Sequence, residues 1–377
     1  MPAEVLSRRA LNRALLDRQM LLHRTPLPEG PDRAERVIET IEHLAGLQAQ
    51  APFPPYYGLW SRLAGFRPDD LAGLLLSRAV VRIAVMRGTI HLVSARDCAM
   101  LRPLTQPVLD RALKTLFGKQ LPGVDTGALA GAGRALVEEQ PRTFSELGAL
   151  LAERWPEHDP ATLAIAVRIL VPLVQIPPRA VWGCAGQSLH TSAESWLGRP
   201  LDPQPSLTGL VRRYLAAFGP ATVADIQAWS GLTRLREPVQ AMRDELCTFR
   251  DEDGRELFDL PAAPRPGPDT PAAVALVAEF DNLVLGHADR TRIVSDADRG
   301  RMATRNGIFP GTVLLDGFVA GMWRIARARG AATLAVEMFR DRVSARDRDA
   351  IAAEGLRMLA FAAPGTPADV RFGPLVP

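Results

Sequence analysis

Residues 79–97, AVVRIAVMRGTIHLVSARD, are two Val- and Ile-rich runs divided at Arg87-Gly88. β-Branched runs either side of a tight turn predict a strand hairpin. Three helical stretches precede it. Residues 5–25 place Leu11, Leu15 and Leu22 on one side, and residues 33–47 space Val37, Ile41 and Leu44 as a helix does. The third, DDLAGLLLSR, follows the start signal Pro68-Asp69-Asp70. Between the second and third, LQAQAPFPPYYGLW sets Pro52, Pro54 and Pro55 behind Gln48 and Gln50, which predicts an extended path there.

Three helices and then a hairpin is the winged-helix order, and it recurs. Thr143 and Glu146 form a capping box at the head of a helix, a second helix starts at Pro160, and residues 174–182 read as strands. GPATVADIQAW then opens a helix at Thr222 and Asp225, residues 237–246 read as a recognition helix, and residues 251–254 turn a hairpin. A proline-rich linker at 261–273 leads to VALVAEFDNLVL, a hairpin turned at Asp316-Gly317 and a helix capped by Ser344. The predicted fold is α+β. Three tandem winged-helix units (1–120, 121–200 and 201–262) precede a C-terminal β-barrel or sheet with a terminal helix (274–377).

At 377 residues, 47% hydrophobic and 23% charged, the composition is that of a globular protein able to bury a core. No apolar run is long enough to span a bilayer, and the charged, amphipathic N-terminus lacks a secretory signal. Three dispersed cysteines argue against a disulfide framework, and six histidines without HxH or HExxH spacing argue against a metal site. A cytoplasmic protein with no metal or cofactor is expected. Lys114 and Lys119 are the only lysines. The arginine bias suits a phosphate polymer, and equally a GC-rich genome. GALAGAGRAL, residues 127–136, lacks both GxGxxG and a preceding strand, so it is not read as a phosphate loop.

On an extended chain Gln48 and Gln50 share a face, and two amides could grip a water and a polar ligand together. The bland alternative is a polar helix end capped by water. Phe53, Tyr56, Tyr57 and Trp60 offer either a stacking surface for a base or core packing. Strand alternation groups Arg87, Thr89 and His91 on one face, opposite Met86, Ile90 and Leu92. These three are either a phosphate- and sugar-binding face or the surroundings of a satisfied buried histidine. Asp281 is a conceivable general base, although Asp before Asn is commonly a turn residue.

Taken together, GLQAQAPFPPYYGLWSRL, MRGTIHLV, GPATVADIQAW, EFDNLVLGH and NGIFPGTVLLDGFVAGMW resemble the winged-helix DNA glycosylase family typified by AlkZ and YcaQ. The resemblance runs nearly end to end, in the right motif order. It implies three tandem winged-helix units and a β-barrel, C-shaped around DNA, excising N7-alkylated purines. The AlkZ branch is tied to resistance against alkylating antibiotics and can unhook interstrand crosslinks. Its catalytic motif is Gln-apolar-Gln, which Gln48-Ala49-Gln50 matches; YcaQ carries Asp at the second position. The expected site is therefore Gln48 and Gln50 as catalytic residues, with Arg87, Thr89, His91, Pro52, Tyr56, Tyr57 and Trp323 toward substrate and DNA. The expected partner is double-stranded DNA carrying alkylated purines, bound by a monomer that is nucleoid-associated when engaged.

Glycoside hydrolysis ordinarily uses two carboxylates. An N7-alkylguanine already carries positive charge on the base and departs neutral without a general acid. Two amides that place a water, with phosphates and amide oxygens offsetting an oxocarbenium-like sugar, would then suffice. The rival expectation is a non-catalytic winged-helix regulator. Its recognition helix, EPVQAMRDELCTF, is poor in the Arg, Asn and Gln that read base edges.

Overall fold

The computed structural model describes residues 4–302, 309–328, 330–340 and 342–375. The helix expected over 5–25 is shorter, Arg8–Arg18, and follows a two-residue strand, Val5–Leu6. It stops where Met20 takes φ 55°, a left-handed backbone through which no right-handed helix continues. The next helix, Asp32–His43, also ends early, as Ala45 and Gly46 take φ 53° and 89°. A Cβ on Gly46 would sit 2.9 Å from Val93 Cγ1 and 3.2 Å from the Leu92 carbonyl oxygen. Only glycine permits that turn, and it delivers Leu47–Gln48 as a strand.

The prolines do not impose an extended path throughout. Pro54–Trp60 is a helix with prolines in its first turn, where a missing N–H costs nothing. The helix Pro68–Leu76 and the strands Val80–Ala84 and Ile90–Ser94 follow as expected. Their connection is a 3₁₀ turn, Met86–Gly88, with φ of 56° at Arg87 and 70° at Gly88.

Residues 126–192 repeat the order with helices Thr126–Glu139, Phe144–Arg154 and Pro160–Leu170, then strands Leu173–Ile176 and Leu189–Ser192. The capping box at Thr143 and Glu146 is formed, and so is that at Thr222 and Asp225. GALAGAGRAL lies within the first of these helices, which Asp125 caps. The strand expected over 174–182 ends at Ile176. Helices Leu207–Phe218, Val223–Ser230 and Arg236–Ala241 precede the hairpin Cys247–Asp251 and Glu256–Asp259. The helix expected over 237–246 is only six residues long and passes into a 3₁₀ turn, Arg243–Glu245.

The strand pairs are shared between stretches. One five-stranded sheet runs in the order Leu47–Gln48, Ile90–Ser94, Val80–Ala84, Leu173–Ile176, Leu189–Ser192, so the glutamine strand is an edge. The hairpin at 247–259 gains Val5–Leu6 as a parallel third strand.

The C-terminal strands Ala275–Val277, Gly311–Leu315, Phe318–Ala328, Ala331–Met338 and Ala368–Phe372 pair in sequence order. Of the two expected forms, barrel or sheet, the described strands make an open sheet with the helix Ala345–Ala362 before its last strand. Asp316 and Gly317 turn the hairpin with φ of 46° and 80°, as an Asp-Gly turn requires. Asn306, Gly307 and Ile308 of the family motif lie outside the described residues. The proline-rich stretch is tied to the first helix: Arg9, Arg13 and Arg18 donate to the carbonyls of Pro268, Thr270 and Pro264. Leu47, Ala49 and Tyr56 share an apolar cluster with Trp323, Leu334 and Met358, so the glutamine strand packs against the C-terminal sheet. Among the described residues no helix is long and apolar enough to cross a membrane.

Candidate active site

Gln48 lies opposite His91 in the antiparallel ladder, and Ala49 N–H donates to the Ile90 carbonyl at 2.7 Å. Leu47 and Ala49 are buried in the apolar cluster; the strand ends at Gln48, and Gln50 lies in the bend just beyond it, exposed. The ladder then changes character. Gln50 Oε1 accepts from the Ile90 N–H at 3.2 Å, a side-chain amide taking a backbone carbonyl's place. From the strand Val80–Ala84, Arg82 donates Nη2 to the Ala49 carbonyl at 2.7 Å. Arg82 is 1% exposed, and burial lowers its guanidinium to about 10. It stays charged at neutral pH and clamps the peptide between the two glutamines.

Arg87 ties three parts of the chain together. Its Nη1 donates to the Trp229 carbonyl at 2.7 Å. Its Nη2 donates to Gln48 Oε1 at 2.7 Å and to Asn282 Oδ1 at 2.9 Å. The positive φ at Arg87 allows this reach, and Gly231 makes room for it: a Cβ there would stand 3.1 Å from Arg87 Cα. Burial lowers the Arg87 guanidinium to about 10, with the Arg290 charge acting in the same direction.

These bonds orient the amides. The oxygens of Gln48 and Gln50 each accept one hydrogen bond, from Arg87 and from the Ile90 N–H, while neither Nε2 has a partner among the described residues. Each oxygen keeps a second lone pair, so the motif offers two N–H₂ donor groups and one further acceptor site on each amide.

The alternation of Arg87, Thr89 and His91 holds in part. Arg87 lies in the turn rather than the strand and reaches the site through its length. Thr89 Oγ1 donates to the Met86 carbonyl at 3.1 Å and closes that turn. His91 is fully buried, its Nδ1 3.0 Å from the Thr89 carbonyl. Burial and the Arg87 charge push it down to about 3, so it is a neutral imidazole directly across the ladder from Gln48.

Tyr56 and Trp323 belong to the core. The Tyr56 hydroxyl donates to the Ala180 carbonyl at 2.7 Å and accepts from Trp182 N–H at 3.1 Å. The Trp323 indole donates to the Val277 carbonyl at 2.9 Å. Tyr57 sits edge-on to Trp182, Trp323 and Phe361, and Pro52 is half-buried just before the helix Pro54–Trp60.

Sequence reasoning singled out Asp281 as a conceivable general base but missed Glu279 and Asn282 beside it. Gln48, Glu279, Asp281 and Asn282 line one narrow cleft with Pro54 and Pro55; it admits a water rather than a purine. Asp281 is held bidentately by Arg62 at 2.8 and 2.9 Å and caps Leu283 N–H at 2.9 Å. That pair anchors Asn282, which in turn accepts from Arg87. Three polar residues spaced through the apolar run AEFDNLVL were the available signal.

The family model described as DNA glycosylase AlkZ-like matches residues 41–361, most of the chain. The chain belongs to this family. Within it, an interstrand DNA cross-link repair glycosylase of Streptomyces sahachiroi is 29% identical over 140 residues. That match spans 34% of this chain and 36% of the relative, about a third of each length. The solved structure of the DNA glycosylase AlkZ from Streptomyces sahachiroi superposes with a TM-score of 0.78 at 21% identity, over 98% of this chain and 100% of that one, which shows a common fold.

For this AlkZ-like chain the Arg87 fork has a direct test. Lysine keeps the charge but has no planar fork to hold three acceptors at once. Arg87→Lys is expected to slow base release by about tenfold or more, with an unchanged circular dichroism spectrum. Single-turnover kinetics on alkylated duplex DNA measure it.

Proposed function

We propose that the chain is a monofunctional DNA glycosylase that hydrolyses the N-glycosidic bond of cationic N7-alkylated purines, including bulky adducts and interstrand crosslinks. The observation that carries this reading is the fixed pair of amide donors. Gln48 closes an edge strand and Gln50 sits in the bend just after it, their oxygens accepting from Arg87 and the Ile90 N–H. Two Nε2 groups held this way can position a water with little reorganisation as the bond breaks. The cationic base needs no proton to leave, so the site discriminates by leaving-group chemistry. A cleft too narrow for a purine fits a lesion attacked from the groove, without full extrusion of the nucleotide. Membership of the glycosylase family supports the reaction class, and the name of the Streptomyces relative supports crosslinked DNA as a substrate.

The protein acts as a monomer on double-stranded DNA in the cytoplasm, without metal or cofactor. Its DNA-facing surface is built by winged-helix units at 1–120, 121–200 and 201–262, with the C-terminal part (274–377) closing the site. The test is incubation with N7-methylated duplex DNA and, separately, with a nitrogen-mustard crosslink. Release of 7-methylguanine or unhooking, leaving an abasic site, is expected. No release from either substrate at high enzyme excess overturns the reading.

A further inference from the structure

We propose that Glu279 accepts the proton of the attacking water. The proposal rests on the glycosylase reading above and adds the carboxylate that the Gln-Ala-Gln motif lacks. As the water oxygen bonds to C1′ of the sugar, the bond from C1′ to N9 breaks and its electron pair neutralises the cationic base. The water's proton passes to the Glu279 carboxylate and then to solvent.

The two amides cannot take the proton themselves. Gln48 and Gln50 have their oxygens engaged by Arg87 and the Ile90 N–H, and a neutral amide is too weak a base to take a proton. The other groups around the cleft are also committed. Asp281 accepts two hydrogen bonds from Arg62 and one from Leu283 N–H. Asn282 accepts from Arg87. His91, directly across the ladder from Gln48, is fully buried and does not line the cleft.

Glu279 is the remaining carboxylate lining the cleft with Gln48. The backbone separates it from its neighbour. Phe280 takes φ 59°, a conformation strained for a bulky residue. Both line the cleft, but the turn there gives the Asp281 carboxylate to Arg62 and leaves Glu279 outside that pair. The charged and titratable groups around Glu279 are Arg324 on the strand Phe318–Ala328, Tyr57 on the helix Pro54–Trp60, and the Arg62–Asp281 pair. Burial, outweighing Arg324, raises Glu279 above the ordinary glutamate range, which strengthens it as a base.

The experiment compares wild type, Glu279→Gln and Glu279→Asp in single-turnover base release between about pH 5 and about pH 9. The substrate is whichever of N7-methylated or mustard-crosslinked DNA the wild type processes. Wild-type release should fall at acid pH as the carboxylate protonates. Glu279→Gln should be slower by at least about 100-fold, lack that acid limb and bind abasic-site DNA as tightly as wild type. Glu279→Asp should recover part of the rate. Equal rates for wild type and Glu279→Gln overturn this proposal alone, as does a slow Glu279→Gln that keeps the wild-type acid limb. Should Glu279→Gln fail to fold, the wild-type profile and Glu279→Asp decide: a wild type with no acid limb overturns it. A wild type that releases neither substrate overturns the glycosylase reading and this proposal together.

Discussion

A Gln48→Ala, Gln50→Ala double variant is expected to release 7-methylguanine at least about 10³-fold more slowly than wild type, with DNA affinity nearly unchanged. The size follows from what the side chains present. Removing one preorganised donor aimed at a reacting centre costs about 10² to 10³ in rate, and residues acting on one water do not add independently. The fold should survive. Gln48 contributes one side-chain bond to Arg87, Gln50 one to the Ile90 N–H, and Leu47 and Ala49 keep the strand in the core. Arg87 retains the Trp229 carbonyl and Asn282 as acceptors. Single-turnover release and gel-shift titration on the same alkylated duplex measure the two quantities. A double variant within about tenfold of wild type would remove the glutamines from the chemistry.

Arg62→Met is expected to be the most destabilising single change near the site, by about 3–5 kcal/mol, because it strands the Asp281 carboxylate in the interior without its partner. Arg62 and Asp281 have side chains 1% and 4% exposed. Arg62 also donates to Gln19 Oε1 at 3.0 Å and to the Gly58 carbonyl at 3.0 Å. The loss should show as a lowered denaturation midpoint. Replacing both partners, Arg62→Met with Asp281→Leu, should recover a large part of that stability, since a well-packed apolar pair often serves as well as a buried ion pair. Base release should not recover with it. Asp281 is the N-cap of the helix Asn282–Leu285, and losing the cap releases Asn282 from the acceptor position that Arg87 uses. Stability and activity would then separate in the double variant. Recovery of both together would mean that Asn282 does not depend on this pair.

The two predictions concern different layers of one arrangement. The glutamines meet the ligand; Arg87 fixes one of them; Asn282 and the Trp229 carbonyl fix Arg87; and the Arg62–Asp281 pair fixes Asn282. The links are hydrogen bonds between segments far apart in the chain, except the last, in which Asp281 holds its own neighbour Asn282 as the N-cap of the helix Asn282–Leu285. Damage at 62 or 281 is therefore expected to reach residue 48 without touching substrate.

Local patterns were legible in the sequence because they are local. The hairpin around Arg87-Gly88, the capping boxes at Thr143 and Thr222, and the Asp-Gly turn at 316 all depend on neighbours within a few residues. The candidacy of Gln48 and Gln50 also came from a short motif and its family resemblance. Helix ends were read too long at Leu22 and Leu47, where apolar spacing continued but Met20, Ala45 and Gly46 take left-handed backbone. The prolines at 54 and 55 were read as breakers, although the first turn of a helix accepts them.

Tertiary structure decided what the motif can do. The two amides could have presented oxygen or nitrogen. Arg87 and the Ile90 N–H each take one lone pair of an amide oxygen, and Arg87 is itself held by residues about 140 and 195 positions away. The sequence determined that two amides stand two residues apart just after a glycine turn, since that needs only adjacent residues; the strand itself ends at Gln48. Which atoms face the cleft, and that a carboxylate from residue 279 lines it, depended on packing the C-terminal sheet against the first hairpin. That contact joins residues distant in sequence, and no spacing within either segment encodes it.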